Sequence, residues 1–195
     1  MFPQRYFPGG TSKATAYVWP TPDPQGPIIR PLAKLATLLA ATAHFRTRCG
    51  LESDDPLGTE KLLDGKHGTQ RRIFYPEVDW DRFNVFPSAV IQPGPTWTAT
   101  LACGGERNYL TYHGSLRLIL IDADRYPHEM ERSLRDYGTW VGQLLDDLKS
   151  YFAYNDELAG TTITQERGIA RGTVTEEVSR GKAYWSTAFL IDWKS

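Results

Sequence analysis

Cysteine is scarce in this chain: Cys49 and Cys103 are its only two, far apart and outside any Cys-x-x-Cys or Cys/His ligand spacing. That excludes a disulfide framework and a thiolate zinc cluster, and leaves two reduced, packed thiols as the expectation. Long apolar runs are missing too: no stretch of about 20 apolar residues could span a bilayer. The opening MFPQRYFPGG holds no continuous apolar core of the signal-peptide kind, so a life in solution, away from membranes, is expected. Nor is there an excess of charge, since 22 Lys and Arg stand against 23 Asp and Glu for a net charge of -1. A dedicated nucleic-acid binder would show a basic excess, so any contact with DNA is expected without tight or specific binding. Catalytic signatures are equally wanting. His44, His67, His113 and His128 stand singly, with no HxH or HExxH spacing, and there is no GxSxG, Walker A or GxGxxG. Gly9-Gly10-Thr11-Ser12-Lys13 has phosphate-loop chemistry only on the surface, lacking the flanking strand and the full spacing.

What is present is an ordinary globular composition, 195 residues with 41% hydrophobic and 23% charged, which fits one domain. Residues 1–31 differ from the rest. Pro3, Pro8, Pro20, Pro22, Pro24, Pro27 and Pro31 alternate there with Phe2, Tyr6, Phe7, Tyr17 and Trp19. Prolines at that density argue against helix and central strand, whereas a plain disordered tail would be poor in aromatics. The stretch reads as an extended arm whose rings dock on its own domain or on a neighbouring subunit.

Residues 32–195 read as one α+β domain. Leu32, Leu35, Leu38, Leu39 and Ala43 recur at helical spacing, predicting a helix over 32–48 with Gly50 as its stop. Residues 52–70 are polar and aperiodic and read as a long loop. Strands are expected over 72–75 and over 83–91, where Pro87 argues for an edge or an irregular beginning, and over 96–103 with a Gly104–Asn108 turn into 109–121. Leu116-Arg117-Leu118-Ile119-Leu120-Ile121 is apolar on both faces apart from Arg117, the mark of a central strand. A second helix is predicted over 127–151, with Met130, Leu134, Tyr137, Val141, Leu144, Leu148 and Tyr151 on its apolar face. Period-two patterns return at 161–166 and 173–178. The last segment puts Trp185, Thr187, Phe189, Ile191 and Trp193 on one face. The expected fold is therefore a mostly antiparallel β-sheet packed by two α-helices, with the extended Pro-rich arm in front.

Chemistry has one sharp candidate, Asp122-Ala-Asp124 at the end of the strongest strand. Two carboxylates two residues apart can share Mg²⁺ or Mn²⁺. No partner motif accompanies them, and the competing reading is a strand-to-helix turn in which Asp side chains satisfy backbone N–H groups. No catalytic, cofactor-binding or metal-binding residue is assigned. Gly138 and Gly142, one helical turn apart, read as a close packing point, and Asp146-Asp147, Asp54-Asp55 and Asp79/Asp81 as solvated faces.

Four segments carry a family likeness: Phe86-Pro87-Ser88-Ala89-Val90-Ile91; Gly114-Ser115 running through 116–122; Trp140-Val141-Gly142-Gln143-Leu144-Leu145-Asp146-Asp147-Leu148; and Tyr184 through Trp193. Their order over 32–195 resembles that of tail-terminator proteins of long-tailed phages. The resemblance implies a structural virion protein, not an enzyme and without cofactor. Its subunits would form a homo-oligomeric, hexameric ring at the head-proximal end of the tail tube. That ring ends tube polymerisation and joins the tail to the neck. The implied partners are a second copy of the chain, the tail-tube protein, a neck, head-closure or connector protein and, where the tail has one, a sheath, with DNA passing through the lumen. The arm and the 52–70 stretch depart from a minimal terminator. Interface anchors would be aromatics in irregular or edge regions: Trp19, Trp80 and Trp97, with Tyr6 and Phe7 of the arm. Another neck or head-closure ring, a metal-dependent enzyme on Asp122 and Asp124, and a ligand-binding module are the alternatives.

Overall fold

The computed structural model describes residues 26–75, 85–104, 107–153, 162–173 and 183–194. Its order is α1 (Gly26–Ala41), α2 (Ala43–Arg48), α3 (Gly58–Asp64), β1 (Ile73–Phe74), β2 (Ser88–Gly104), β3 (Arg107–Ala123), α4 (Met130–Phe152), β4 (Ile163–Thr173) and β5 (Ala183–Lys194). The strands form one five-stranded sheet in the order β1-β2-β3-β5-β4, antiparallel except for the short β1, which pairs parallel to β2. The fold is α+β. Among the described residues no helix is long and apolar enough to cross a membrane.

The first helix starts earlier than its sequence suggests and ends sooner. Pro27 falls in the first turn, where no N–H partner is needed, and Pro31 removes one bond while being buried itself. Thr42, extended at φ -67 and ψ 134, then breaks the expected single helix in two, its hydroxyl donating to the Leu39 carbonyl. Leu32, Leu35, Ala36, Leu39 and Ala40 keep the helical spacing and are all buried. The predicted loop 52–70 also contains a helix, α3, closed by Gly65 in the left-handed region at φ 68. Arg46 fixes the turn before it. Its guanidinium donates to the carbonyls of Ala40, Ser53 and Asp55 and to the Thr59 hydroxyl.

β3 is the middle strand, as its two apolar faces predict. Leu116, Leu118 and Leu120 face the helices, meeting Trp185, Thr187, Phe189, Ile191 and Trp193 of β5. Tyr137, Trp140, Val141, Leu144, Leu148 and Phe152 of α4 close over them, and the Tyr137 hydroxyl donates to the Leu120 carbonyl at 2.7 Å. Each large apolar side chain so buried contributes about 1.5–3 kcal/mol. The apolar stripe of α4 is rotated from the expected one: Trp140 and Phe152 are in the core, while Met130, Leu134 and Tyr151 are exposed. On the other face of the sheet a smaller cluster gathers around Val90 and Ile121, with Phe86 stacked on Tyr184.

The two strands expected over 83–91 and 96–103 are joined in one, which starts at Ser88 and is kinked by a register shift between Pro93 and Trp97. Gly94 makes that kink possible, since a Cβ there would fall 2.1 Å from the Ser115 hydroxyl oxygen and 2.6 Å from the Ser115 carbonyl oxygen. The Phe86–Pro87 peptide is cis. Pro87 lies just before β2 begins, an irregular start rather than an edge, since β1 pairs with Ala89 and Val90; past Val90, β2 has no described neighbour on its outer side. Residues 163–173 form the single edge strand β4; the rest of the expected 173–178 strand lies outside the described residues.

Candidate assembly interface

β2 and β3 are each 17 residues long, yet β5 accompanies β3 only from His113 to Ala123. Past Trp97↔Gly114 and Thr98↔His113, where β5 still runs beside β3, the register Ala99↔Tyr112, Thr100↔Thr111 and Leu101↔Leu110 continues as a hairpin with no third strand among the described residues. Alternation divides the hairpin into two faces. Thr98, Thr100, Thr111 and His113 form one. Trp97, Ala99, Leu101, Leu110 and Tyr112 form the other, which continues the core-facing row of Leu116, Leu118 and Leu120. Tyr112 still packs on the core, and Trp193 covers Gly114. The row then runs beyond the helices, leaving Trp97 54%, Leu101 56% and Leu110 52% exposed.

Three large apolar side chains on one face of a projecting hairpin are the kind of surface that another protein covers. Of the five aromatics nominated from sequence, Trp97 is therefore placed at a candidate interface. Trp19, Trp80, Tyr6 and Phe7 lie outside the described residues. No protein-family model matches the chain, and no curated protein matches it.

The carboxylates of the Asp-x-Asp element are held by cations and hydroxyls. Asp122, 1% exposed, takes Arg48 Nε at 2.6 Å and the backbone N–H of Ala123, with Arg125 at 3.5 Å. Arg48 also grips Asp136 of α4 and lies over the Trp140 ring. Burial pushes the Asp122 carboxyl up, against the pull of the two guanidiniums, whereas the Arg48 hydrogen bonds hold Asp136 below its ordinary range. Asp124 takes the Ser133 hydroxyl, the Arg171 guanidinium and the Tyr126 N–H. Although partial desolvation raises it, those partners hold it down overall. Backbone N–H groups of the turn are thus satisfied by both Asp side chains, but the main partners are long-range and tie β3 to α2, α4 and β4. Among the described residues no three His, Cys, Asp or Glu side chains come together as a metal site. Cys49 is a free, partly buried thiol pushed up to about 12 by its burial.

A second surface feature was not legible in sequence. His44, Thr47 and Arg48 of α2, Arg125 and Tyr126 of the turn, and Arg132, Arg135, Asp136, Thr139, Trp140 and Gln143 of α4 line a groove of about 450 Å³. Arg132 lies over the Tyr126 ring at 4.1 Å. Its arginines come from three separate stretches, so no local charge run announces them.

Proposed function

We propose that this chain is a ring-forming structural subunit of a phage tail, a tail terminator that caps the tube and meets the neck. The observation that carries the reading is the projecting hairpin, whose apolar row of Trp97, Leu101 and Leu110 leaves its own core and offers a surface to a neighbour. A single sheet with all its helices sharing one core gives a rigid block from which such an arm extends. Head-to-tail contacts of this sort close into rings when each copy is rotated by a fixed angle. The engagement of Asp122 and Asp124 by Arg48, Ser133 and Arg171 also favours a structural role for the strand end over a metal pair. On this reading the hairpin reaches a neighbouring subunit, and the duplex passes through the lumen without specific contacts.

The test is a capping assay. Tail-tube protein polymerised with and without the purified full-length chain is viewed by electron microscopy. A terminator gives shorter tubes with a ring at one end only; tubes of unchanged length and bare ends reject this reading. A ring that binds neck protein but ignores the tube would favour a head-closure ring instead.

A further inference from the structure

The groove between α2 and α4 is rich in cations. Arg48, Arg125, Arg132 and Arg135 bring four guanidiniums to its lining, with Asp136 as the one carboxylate there. Arg48 is spent on Asp122 and Asp136. The remaining three are exposed. Arg125 meets Asp122 at 3.5 Å, Arg132 meets Glu129 at 3.3 Å and lies over the Tyr126 ring, and Arg135 meets Glu131 at 2.7 Å in a pair that is almost wholly solvated. Exposed pairs of this kind contribute little and exchange readily for a better acceptor. Guanidiniums at the surface, held by solvated or long contacts, suit the groove to oxyanions.

The matching acceptors are on the same chain. In the turn between α2 and α3, Glu52 and Asp54 are exposed and have no cation partner among the described residues, whereas Asp55 beside them is taken by Lys61. This turn is anchored by Arg46, through the Ser53 and Asp55 carbonyls. On α2, Arg46 is two residues from both His44 and Arg48, about 200° around the helix, so the turn and the groove are on opposite sides of it. One subunit cannot place its own turn in its own groove. We infer that the Glu52–Asp54 turn of one copy docks into the arginine groove of the next, a heterologous contact that repeats around the assembly. The inference rests on the ring reading and adds a polar contact, separate from the hairpin, that fixes the register between neighbours.

Charge reversal tests it, with the full-length chain followed by sedimentation velocity. Arg132→Glu with Arg135→Glu, and separately Glu52→Lys with Asp54→Lys, each weaken self-association about tenfold or more, and the loss grows less marked as salt screens the parent contact. The two doubly reversed chains mixed together, or all four changes in one chain, recover association. Circular dichroism confirms that the reversed chains remain folded, as their exposed positions predict. Association indifferent to both reversals, while Trp97→Ser still disrupts it, overturns the contact and leaves the ring reading standing. A parent chain that stays monomeric overturns both. Binding of duplex DNA that is lost on reversing the arginines, with association unchanged, assigns the groove to phosphates and overturns the contact.

Discussion

Arg48 donates its Nε–H to Asp122 at 2.6 Å, and through this one contact a six-residue helix is tied to the end of the central strand. The same guanidinium reaches Asp136, so α2, β3 and α4 meet at a single side chain. Arg48→Ala leaves a buried carboxylate with only the Ala123 N–H and the longer contact to Arg125. A loss of about 3–5 kcal/mol is expected, the range for breaking one side of a buried pair. Urea unfolding followed by Trp fluorescence measures it, and a change below about 1 kcal/mol would remove the network from the account.

Ser133 links two buried groups: it accepts the Trp185 indole N–H at 2.8 Å and donates to Asp124. Ser133→Ala strands the Trp185 N–H and takes one of three partners from Asp124, and should cost about 1–3 kcal/mol, the penalty for an unsatisfied buried polar group. The Trp emission spectrum should shift at the same time.

Gly94 admits no side chain. Gly94→Ala drives a Cβ into the Ser115 backbone and hydroxyl, so the kink in β2 must open, at a cost of about 1–3 kcal/mol or more. Gly142→Ala, with open space around its Cβ, is the control and is expected to be neutral or slightly stabilising.

Acid sensitivity follows from the shifted carboxylates. Asp136 and Asp124 titrate below their ordinary 3.8 when folded. Their contribution is therefore complete above that value and is lost as the pH falls through the folded values. Asp122, raised by burial, has the opposite sign: it favours the folded state at low pH and ceases to as the pH rises. The net loss on the acid side should shrink in Asp136→Asn, as read from denaturation midpoints between pH 2 and pH 5.

Much of the sheet was legible in the sequence because its signals are local. The strict alternation from Trp185 to Trp193 and the doubly apolar run around Leu116–Ile121 each name a strand and its faces without outside information. α3 was hidden because seven residues with a Leu62-Leu63 pair are too few to show a period. Thr42 broke the first helix without a Gly or Pro to announce it. The hairpin strands were visible, but their projection was not, because the point where β5 stops pairing depends on register. The groove was hidden for a similar reason: Arg48, Arg125 and Arg132 meet only once α2 packs on α4. The Asp-x-Asp element was read as a turn whose side chains satisfy backbone N–H groups, and its spacing alone cannot reveal that Arg48 and Arg171 also occupy its carboxylates.

The most direct test of the central claim is the solution mass of the full-length chain beside Trp97→Ser/Leu101→Ser/Leu110→Ser, by sedimentation equilibrium with and without tail-tube protein. All three positions are more than half exposed, so the triple variant should keep its fold. The account predicts a ring-sized species for the parent, formed alone or on the tube, and a folded monomer for the variant. A monomeric parent indifferent to the tube, or a variant that still assembles like its parent, would contradict it.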